Sequence, residues 1–324
     1  LYMNDFQIPG YQAQGALADL TGVLGDDEAG FAPHTIAAAT VDGKLYGAPV
    51  LTSVNTTIFN KKVMDVAGIS EADYPTTWAE VLEVAPKIKD AGYWVMQVET
   101  ATTAAANLNF YPFLWSAGGE VLSKDGTEPT FNGPEGVEAL DFIKTMVDNG
   151  YAPTEALTVQ ASEDLNPVAQ GKVAFTFGTE ASLLTQWGIP EEDLVIKAPL
   201  GRDGEGYGFG TVGTLAMLEG SKNAEATKKW IQWVTQPENL ATFNLDRGYY
   251  SPRADQGDIY EEGTLMWQQG RYVDRMHAGV LSPFTAAIET SLIPQLQAAL
   301  LGRTSVQDAL DTAADEVTAT IARG

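Results

Sequence analysis

Apolar residues along this chain recur with two periods, one typical of helices and one typical of buried strands. Between residues 134 and 149, the side chains of Val137, Leu140, Ile143 and Val147 fall on one helical face. Short apolar runs rich in β-forming residues predict strands in "LYMND", "YWVMQVE", "GKVAFTFG" and "EEDLVIKAPL". Strands that alternate with helices of ten or more residues predict an α/β protein with mostly parallel sheets.

Other helices carry their own boundary signals. Thr77 and Glu80 have capping-box spacing, in which the hydroxyl accepts from a free backbone N–H and the carboxylate reaches back to the cap. That spacing predicts a helix that begins after Thr77 and ends near Gly92. The segment "GYQAQGALADLT" predicts a short helix that packs Leu17 and Leu20. A terminal helix is predicted by one apolar face, which holds Val306, Leu310, Ala313, Val317 and Ile321.

Composition narrows the class of partner. The chain has 43 Asp and Glu against 19 Lys and Arg, a net charge of −24. Such a field repels a phosphate backbone, so we expect no nucleic-acid partner. The 324 residues are 44% hydrophobic, which suffices for two cores. The sequence contains no Cys, which excludes disulfides and Cys-ligated zinc, and no apolar run reaches the roughly 18 residues that span a bilayer.

Several loose motifs follow one another in a recognisable order. They are a "GK.YG.P" strand leading to an "FNK" turn in "DGKLYGAPVLTSVNTTIFNKK", a "P.TW.E" helix start in "YPTTWAEVLEVAPKIKDAG", a helix ending in "GG" in "FYPFLWSAGG", and a terminal "G..S..EAL" pattern in "LGRTSVQDAL". In this order, from residue 1 to about residue 320, the chain resembles the extracellular solute-binding proteins of ABC sugar importers, the family that includes maltose-binding protein.

This resemblance implies a fold and a division of the chain. The expected fold is α/β, the two-lobed periplasmic-binding-protein type II fold with a hinge and an interlobe ligand cleft. The first lobe would comprise residues 1–51 and 213–255, and the second 52–212 and 256–324. Family members open with a strand–helix–strand unit that this chain lacks, so we expect further residues upstream of Leu1 in the full protein.

The resemblance also implies a function without chemistry. We expect a binding protein, not an enzyme, that captures a carbohydrate, with an oligosaccharide favoured, and delivers it to the permease subunits of an ABC importer. No cofactor and no metal are expected, and the protein is expected to be a monomer. Its place would be the periplasm or the cell exterior, with a lipid anchor on the cell surface in a Gram-positive organism.

Candidate ligand contacts follow from the cleft-facing loops of the family. Sugars present hydroxyls and flat apolar faces, so they are bound by planar polar side chains and aromatic rings. After "VAFTF" the family often stacks an aromatic on the sugar, but Ala181, Ser182 and Leu183 stand there in this chain. The candidate ligand-binding residues are Asn4, Asp5, Ser53, Asn55, Asn109, Tyr111, Thr179, Glu180, Tyr207, Phe209, Thr211, Tyr249, Tyr250 and Arg253.

The sharpest hypothesis is that Asp5 and Glu180, both solvated without ligand, hold sugar hydroxyls while Tyr250 stacks on the sugar face. Tyr249 is the alternative stacking residue, because successive residues of an extended segment point opposite ways. Two other readings stay open: a polyamine or ferric-ion binder on the same fold, and a glycoside-active enzyme. The sequence contains no GxSxG, HExxH or P-loop motif.

Overall fold

The computed structural model describes residues 1–101, 106–158, 166–177 and 181–323, and these divide into two units. The first unit comprises Leu1–Val54 and Gly210–Thr285, and the second comprises Asn55–Phe209 and Ala286–Gly324. The first two boundaries lie within three residues of those expected near 51 and 213. The third lies 30 residues later than the expected 255, so residues 256–285 belong to the first unit.

The first unit is built on a three-stranded antiparallel sheet in the order β1–β9–β4. Strand β9 is distant in sequence from both neighbours, and it pairs Met3 with Thr214 on one side and Thr52 with Val212 on the other. The elements wholly within this unit are β1 (Tyr2–Asn4), α1 (Ile8–Ala13), α2 (Pro33–Ala38), β2 (Thr40–Val41), β3 (Lys44–Leu45), β4 (Ala48–Thr52), β9 (Val212–Leu215), α8 (Ala224–Val234), α9 (Pro237–Arg247), α10 (Leu265–Gly270) and β10 (Met276–Ala278).

The second unit contains another three-stranded antiparallel sheet, in the order β6–β5–β7. Its aromatic core includes Trp78 stacked on Phe142, with ring centroids 4.9 Å apart, and Phe113 at 5.5 Å from Phe142. The elements wholly within this unit are β5 (Thr57–Asn60), α3 (Lys61–Val66), α4 (Trp78–Asp90), α5 (Tyr111–Ser116), α6 (Pro134–Asp148), β6 (Phe175–Thr176), α7 (Ala181–Gln186), β7 (Leu194–Lys197) and α12 (Val306–Ile321). Strand β8 (Gly208–Gly210) and helix α11 (Thr285–Leu300) contain the two later boundaries.

The helices agree with their sequence signals. The capping box is confirmed, since the Thr77 hydroxyl accepts from Glu80 N at 3.3 Å and the Glu80 carboxylate accepts from Thr77 N at 3.0 Å. Helix α6 runs over Pro134–Asp148 and buries Leu140, Ile143 and Val147, as the apolar stripe predicts. None of the helices in the described parts of the chain is both long enough and apolar enough to cross a membrane.

Three local predictions were wrong. Mostly parallel sheets were predicted, but the described strands of both three-stranded sheets pair antiparallel. The reason is that strands from distant parts of the chain insert between sequence neighbours. The segment "YWVMQVE" buries Val95, Met96 and Val98 but forms one parallel bridge, Trp94 with Val173, instead of a strand. The first helix covers Ile8–Ala13 instead of the predicted "GYQAQGALADLT", residues 10–21, so the buried Leu17 and Leu20 lie outside it. It contains Pro9 in its first turn, where a missing N–H is tolerated.

Candidate functional site

Polar side chains gather at the end of β1 in the first unit; we call Tyr2, Asn4, Asp5 and Thr211 the β1 cluster. The hydroxyl of Tyr2 donates to Oδ1 of Asn4 at 2.9 Å, and the hydroxyl of Thr211 donates to the same oxygen at 3.2 Å. Because both bonds use Oδ1, the side-chain N–H groups of Asn4 are oriented but not consumed by them. Tyr2 is half-exposed, so the cluster has an accessible side.

Asp5, a member of this cluster, is fully buried, with 0% of its surface exposed. Its Oδ1 accepts from Phe6 N at 3.0 Å, while Oδ2 has no hydrogen-bond partner among the described residues. Burial raises the pKa of Asp5 to about 7, against the opposing effect of backbone N–H groups that include Val212. The expectation of a solvated carboxylate at this position was therefore wrong.

The two adjacent tyrosines point to different surroundings. Tyr250 is buried, its hydroxyl donates to the carbonyl oxygen of Met266 at 2.9 Å, and its backbone pairs with Thr52. Burial, and next the charges of Tyr249 and Asp5, raise the pKa of the Tyr2 phenol to about 12. Half-buried Tyr249 therefore lies close to Tyr2. Of the pair, Tyr249 is thus the one next to the β1 cluster.

Arg253 is held inside the first unit. Its guanidinium donates to both carboxylate oxygens of Asp255, at 2.8 and 2.7 Å, and to the carbonyl oxygen of Thr235 at 3.2 Å. The same group lies 4.8 Å from the ring centre of Phe31. This bidentate pair, with 2% of the Arg253 side chain exposed, uses the guanidinium to tie the chain after α9 to the rest of the unit.

The candidates in the connecting segments take part in backbone pairing. Ser53 N donates to the carbonyl oxygen of Thr211 at 3.1 Å within the first unit. Asn55 N donates to the carbonyl oxygen of Phe209 at 2.8 Å within the second. Ser53, Asn55 and Phe209 are all buried. These backbone hydrogen bonds order the connecting segments, and residues 51–60 are buried throughout.

A narrow pocket in the second unit places one exposed aromatic beside buried apolar residues. Tyr207 is 41% exposed, and its backbone N–H donates to the Ser116 hydroxyl at 3.2 Å. An exposed phenol ring over an apolar floor offers both a flat face and a hydroxyl. The pocket is lined by Asn55, Pro112, Phe113, Phe177, Pro199, Leu200, Tyr207 and Gly208.

Asn109 and Tyr111, also in the second unit, have structural surroundings. Oδ1 of Asn109 accepts from Glu99 N at 3.1 Å. Tyr111 is 1% exposed, and its ring packs at 5.7 Å from that of Trp115. Burial, and next the charge of Glu289, raise the pKa of Tyr111. Thr179 and Glu180 lie outside the described residues.

Sequence reasoning missed Glu289. The side-chain amide of buried Asn107 donates to Oε1 of Glu289 at 2.9 Å, within the second unit. The signal that could have found it is that Glu289 is the only charged residue in helix α11, between the buried Ile288 and Leu292. A charge on an apolar helix is unusual unless it is paired or used.

The described residues contain no group of three or more His, Cys, Asp or Glu side chains placed to hold a metal ion. The hydroxyl of Tyr250 is bonded to a backbone carbonyl. The β1 cluster offers hydroxyls, an amide and a buried carboxyl beside the phenol of Tyr249.

Comparison with known proteins gives the family. Residues 1–241 match the model of the bacterial extracellular solute-binding proteins, and the chain belongs to this family. A binding protein of Brucella abortus (strain 2308) is 31% identical over 248 residues, which are 73% of this chain and 58% of that protein. The diacetylchitobiose-binding protein DasA of Streptomyces coelicolor is 27% identical over 249 residues, 71% of this chain and 54% of that protein.

Solved structures show the fold. An ABC transporter solute-binding protein from Thermotoga lettingae, bound with α-D-tagatose, superimposes with a TM-score of 0.86 at 22% identity, covering 99% of this chain and 84% of that one. The expected periplasmic-binding-protein fold is thereby confirmed. The chain spans little more than half the length of the two curated relatives described above.

Proposed function

We propose that this protein is the extracytoplasmic solute-binding component of an ABC importer and that it captures a carbohydrate, an oligosaccharide, without altering it. The observation that carries the proposal is the β1 cluster: an oriented amide, two hydroxyls and a buried carboxyl beside the phenol of Tyr249. Polyols are held by such mixed donors and acceptors, and their C–H faces pack on aromatic rings.

The contacts are proposed from the exposure of each side chain. Asn4 and Thr211 are partly exposed and bind sugar hydroxyls, while Tyr249 and Tyr207 supply aromatic faces. The other described candidates are buried, and we assign them to the framework around the site: Asp5, Ser53, Asn55, Phe209, Asn109, Tyr111, Tyr250 and Arg253. Thr179 and Glu180 stay a prediction from the family resemblance.

The solutes named for the two relatives described above, DasA and the Thermotoga lettingae protein, support a carbohydrate. DasA is named for diacetylchitobiose, a disaccharide, and the Thermotoga lettingae protein was crystallised with the monosaccharide tagatose. Both ligands are uncharged and rich in hydroxyls. The same chemistry suits the β1 cluster, which contains no cationic side chain to neutralise an anionic solute.

Ligand capture is proposed to close the two units on the sugar by hinge motion at the connecting segments. Small-angle scattering on the protein with and without saturating ligand measures this as a smaller radius of gyration in the complex. An unchanged scattering profile at saturation would contradict hinge closure and leave a static site.

The loaded protein is proposed to act as a monomer outside the cytoplasm and to deliver the sugar to the permease subunits of the importer. In a Gram-positive organism it would carry a lipid anchor. Pull-down from native membranes, with and without sugar, is expected to recover importer subunits. Recovery of none in either state would instead favour a free-standing lectin or a sensor component.

A thermal-shift panel tests the ligand class. A ligand that binds the native state raises the melting temperature as its concentration exceeds the dissociation constant. We expect maltotriose, diacetylchitobiose or another neutral saccharide to stabilise the protein, and spermidine and Fe(III) to have no effect. Stabilisation by spermidine or Fe(III) alone would overturn the carbohydrate proposal. Release of shorter products from an incubated oligosaccharide would show that the protein is an enzyme and not a binding protein.

A further inference from the structure

Glu289 combines three properties that together need an explanation. It is the only charged residue of helix α11, it is partly buried, and it has no ion-pair partner among the described residues. Burial raises the pKa of Glu289 from its ordinary value, and the hydrogen bond from Asn107 opposes that rise. A carboxyl in this environment makes the unit less stable than an apolar side chain would.

Asn107 fixes how this carboxyl is presented. Its amide donates to Oε1 at 2.9 Å and is itself buried, with 4% of Asn107 exposed. Oε2 has no recorded hydrogen bond from a described residue. Beneath the pair lies Tyr111, whose phenol is fully buried, has no hydrogen-bond partner among the described residues, and is close enough to feel the charge of Glu289. One oxygen is therefore anchored, and the other is oriented with acceptor capacity left.

We propose that Glu289 is a ligand contact that sets the charge class of the solute, and that Asn107 positions it. This rests on the proposed function, in which the ligand is a carbohydrate. Oε2 accepts a hydrogen bond from a sugar hydroxyl or from an ammonium group, whereas a phosphate or carboxylate placed there is repelled. The solute is then a neutral or amine-bearing saccharide and not an acidic one.

Matched sugars that differ in charge test this selectivity. Maltose and maltobionate differ by one carboxylate, and diacetylchitobiose and chitobiose differ by two acetyl groups that mask amines. Calorimetric titration of the wild-type protein is expected to give tighter binding to the neutral member of the first pair. Glu289→Gln keeps the shape and removes the charge. It should weaken neutral sugar binding about tenfold, because a charge-assisted hydrogen bond becomes a neutral one. It should also reduce the ratio of the affinities for maltose and maltobionate at least about tenfold.

A control separates local charge from the overall acidity of the protein. Glu316 lies exposed on α12, so Glu316→Gln changes the net charge equally and should leave both affinities and their ratio unchanged.

The positioning role of Asn107 has its own measurement, the pH dependence of affinity. Wild-type affinity for the neutral sugar should fall as the pH drops through the raised pKa of Glu289, Asn107→Ala should move that fall to higher pH, and Glu289→Gln should abolish it.

The outcomes distinguish the two proposals. Neutral sugars that bind with a selectivity unchanged by Glu289→Gln would overturn the role of Glu289 and leave the carbohydrate proposal standing. Failure of every saccharide to bind the wild-type protein would overturn both. If Glu289→Gln lowers the melting temperature without changing the ratio of affinities, the residue is structural and the inference is wrong.

Discussion

The hydroxyl of Tyr250 donates to the backbone carbonyl oxygen of Met266 at 2.9 Å, and its ring meets that of Tyr260 edge-on at 5.6 Å. A Cβ atom on Gly270 would lie 2.8 Å from the same ring. Tyr250 is thus packed inside the first unit, and its neighbour Tyr249 is left for the β1 cluster.

We therefore expect substitution of Tyr250 to affect stability and substitution of Tyr249 to affect sugar binding. Tyr250→Phe removes a buried hydrogen bond and should lower the free energy of unfolding by about 1 kcal/mol, with sugar affinity unchanged. Tyr249→Ala should weaken sugar binding about 2- to 12-fold through a lost aromatic contact worth about 0.5–1.5 kcal/mol. Thermal denaturation and calorimetry on both variants measure this. Loss of affinity in Tyr250→Phe alone would reverse the assignment.

Asp5 makes the stability of the protein depend on pH in a defined direction. Its pKa rises from 3.8 to about 7 on folding, so between these values the folded protein keeps a proton that the unfolded chain has lost. Stability should therefore fall as the pH rises from about 4 to about 7 and then level off. Three pKa units correspond to an effect of up to about 4 kcal/mol.

Asp5→Asn tests this because it mimics the protonated carboxyl. The variant should match the wild type near pH 4 and be the more stable of the two at pH 8, with sugar affinity unchanged because Asp5 is fully buried. Chemical denaturation across this pH range gives the comparison. Stability curves that run parallel for the two proteins would show that Asp5 does not titrate as described.

Gly208 lies so close to the backbone of Asn55 that no side chain fits at this position. A Cβ atom there would lie 1.8 Å from the carbonyl oxygen of Asn55, whereas one on Gly204 would meet nothing within 4 Å. Gly208→Ala should lower the free energy of unfolding by at least about 2 kcal/mol. Gly204→Ala is the control and should raise it by about 0.4–1 kcal/mol, since its backbone angle φ is not in the left-handed region. Equal effects in denaturant titrations would contradict this packing.

Local signals in the sequence predicted helices α4 and α6 well, but not the bounds of α1. The stripe of α6 and the Thr77–Glu80 capping box depend on residues within four positions of one another, so the sequence itself contains the geometry. The polar end of β1 was also found, because Asn4 and Asp5 end an apolar run. Burial of Asp5 was not predicted, since the cover comes from strand β9, about 200 residues away.

The Asn107–Glu289 pair and the antiparallel sheets were not predicted, because both depend on residues far apart in the sequence. Asn107 and Glu289 are 182 residues apart, and no local pattern connects them. Antiparallel pairing of β9 with both β1 and β4 follows from the return of the chain after the second unit, which periodicity cannot reveal. Tyr249 and Tyr250 alternate in direction, so only the contact of Tyr250 with Met266 distinguishes them.

Calorimetric titration of the wild-type protein with neutral oligosaccharides, followed by recovery of the ligand, tests the central claim most directly. The account predicts saturable one-to-one binding by at least one of maltotriose and diacetylchitobiose, weakened by Asn4→Ala and by Tyr249→Ala, with the sugar recovered intact. Saturable heat from spermidine or Fe(III) alone, or recovery of a cleaved sugar, would contradict it.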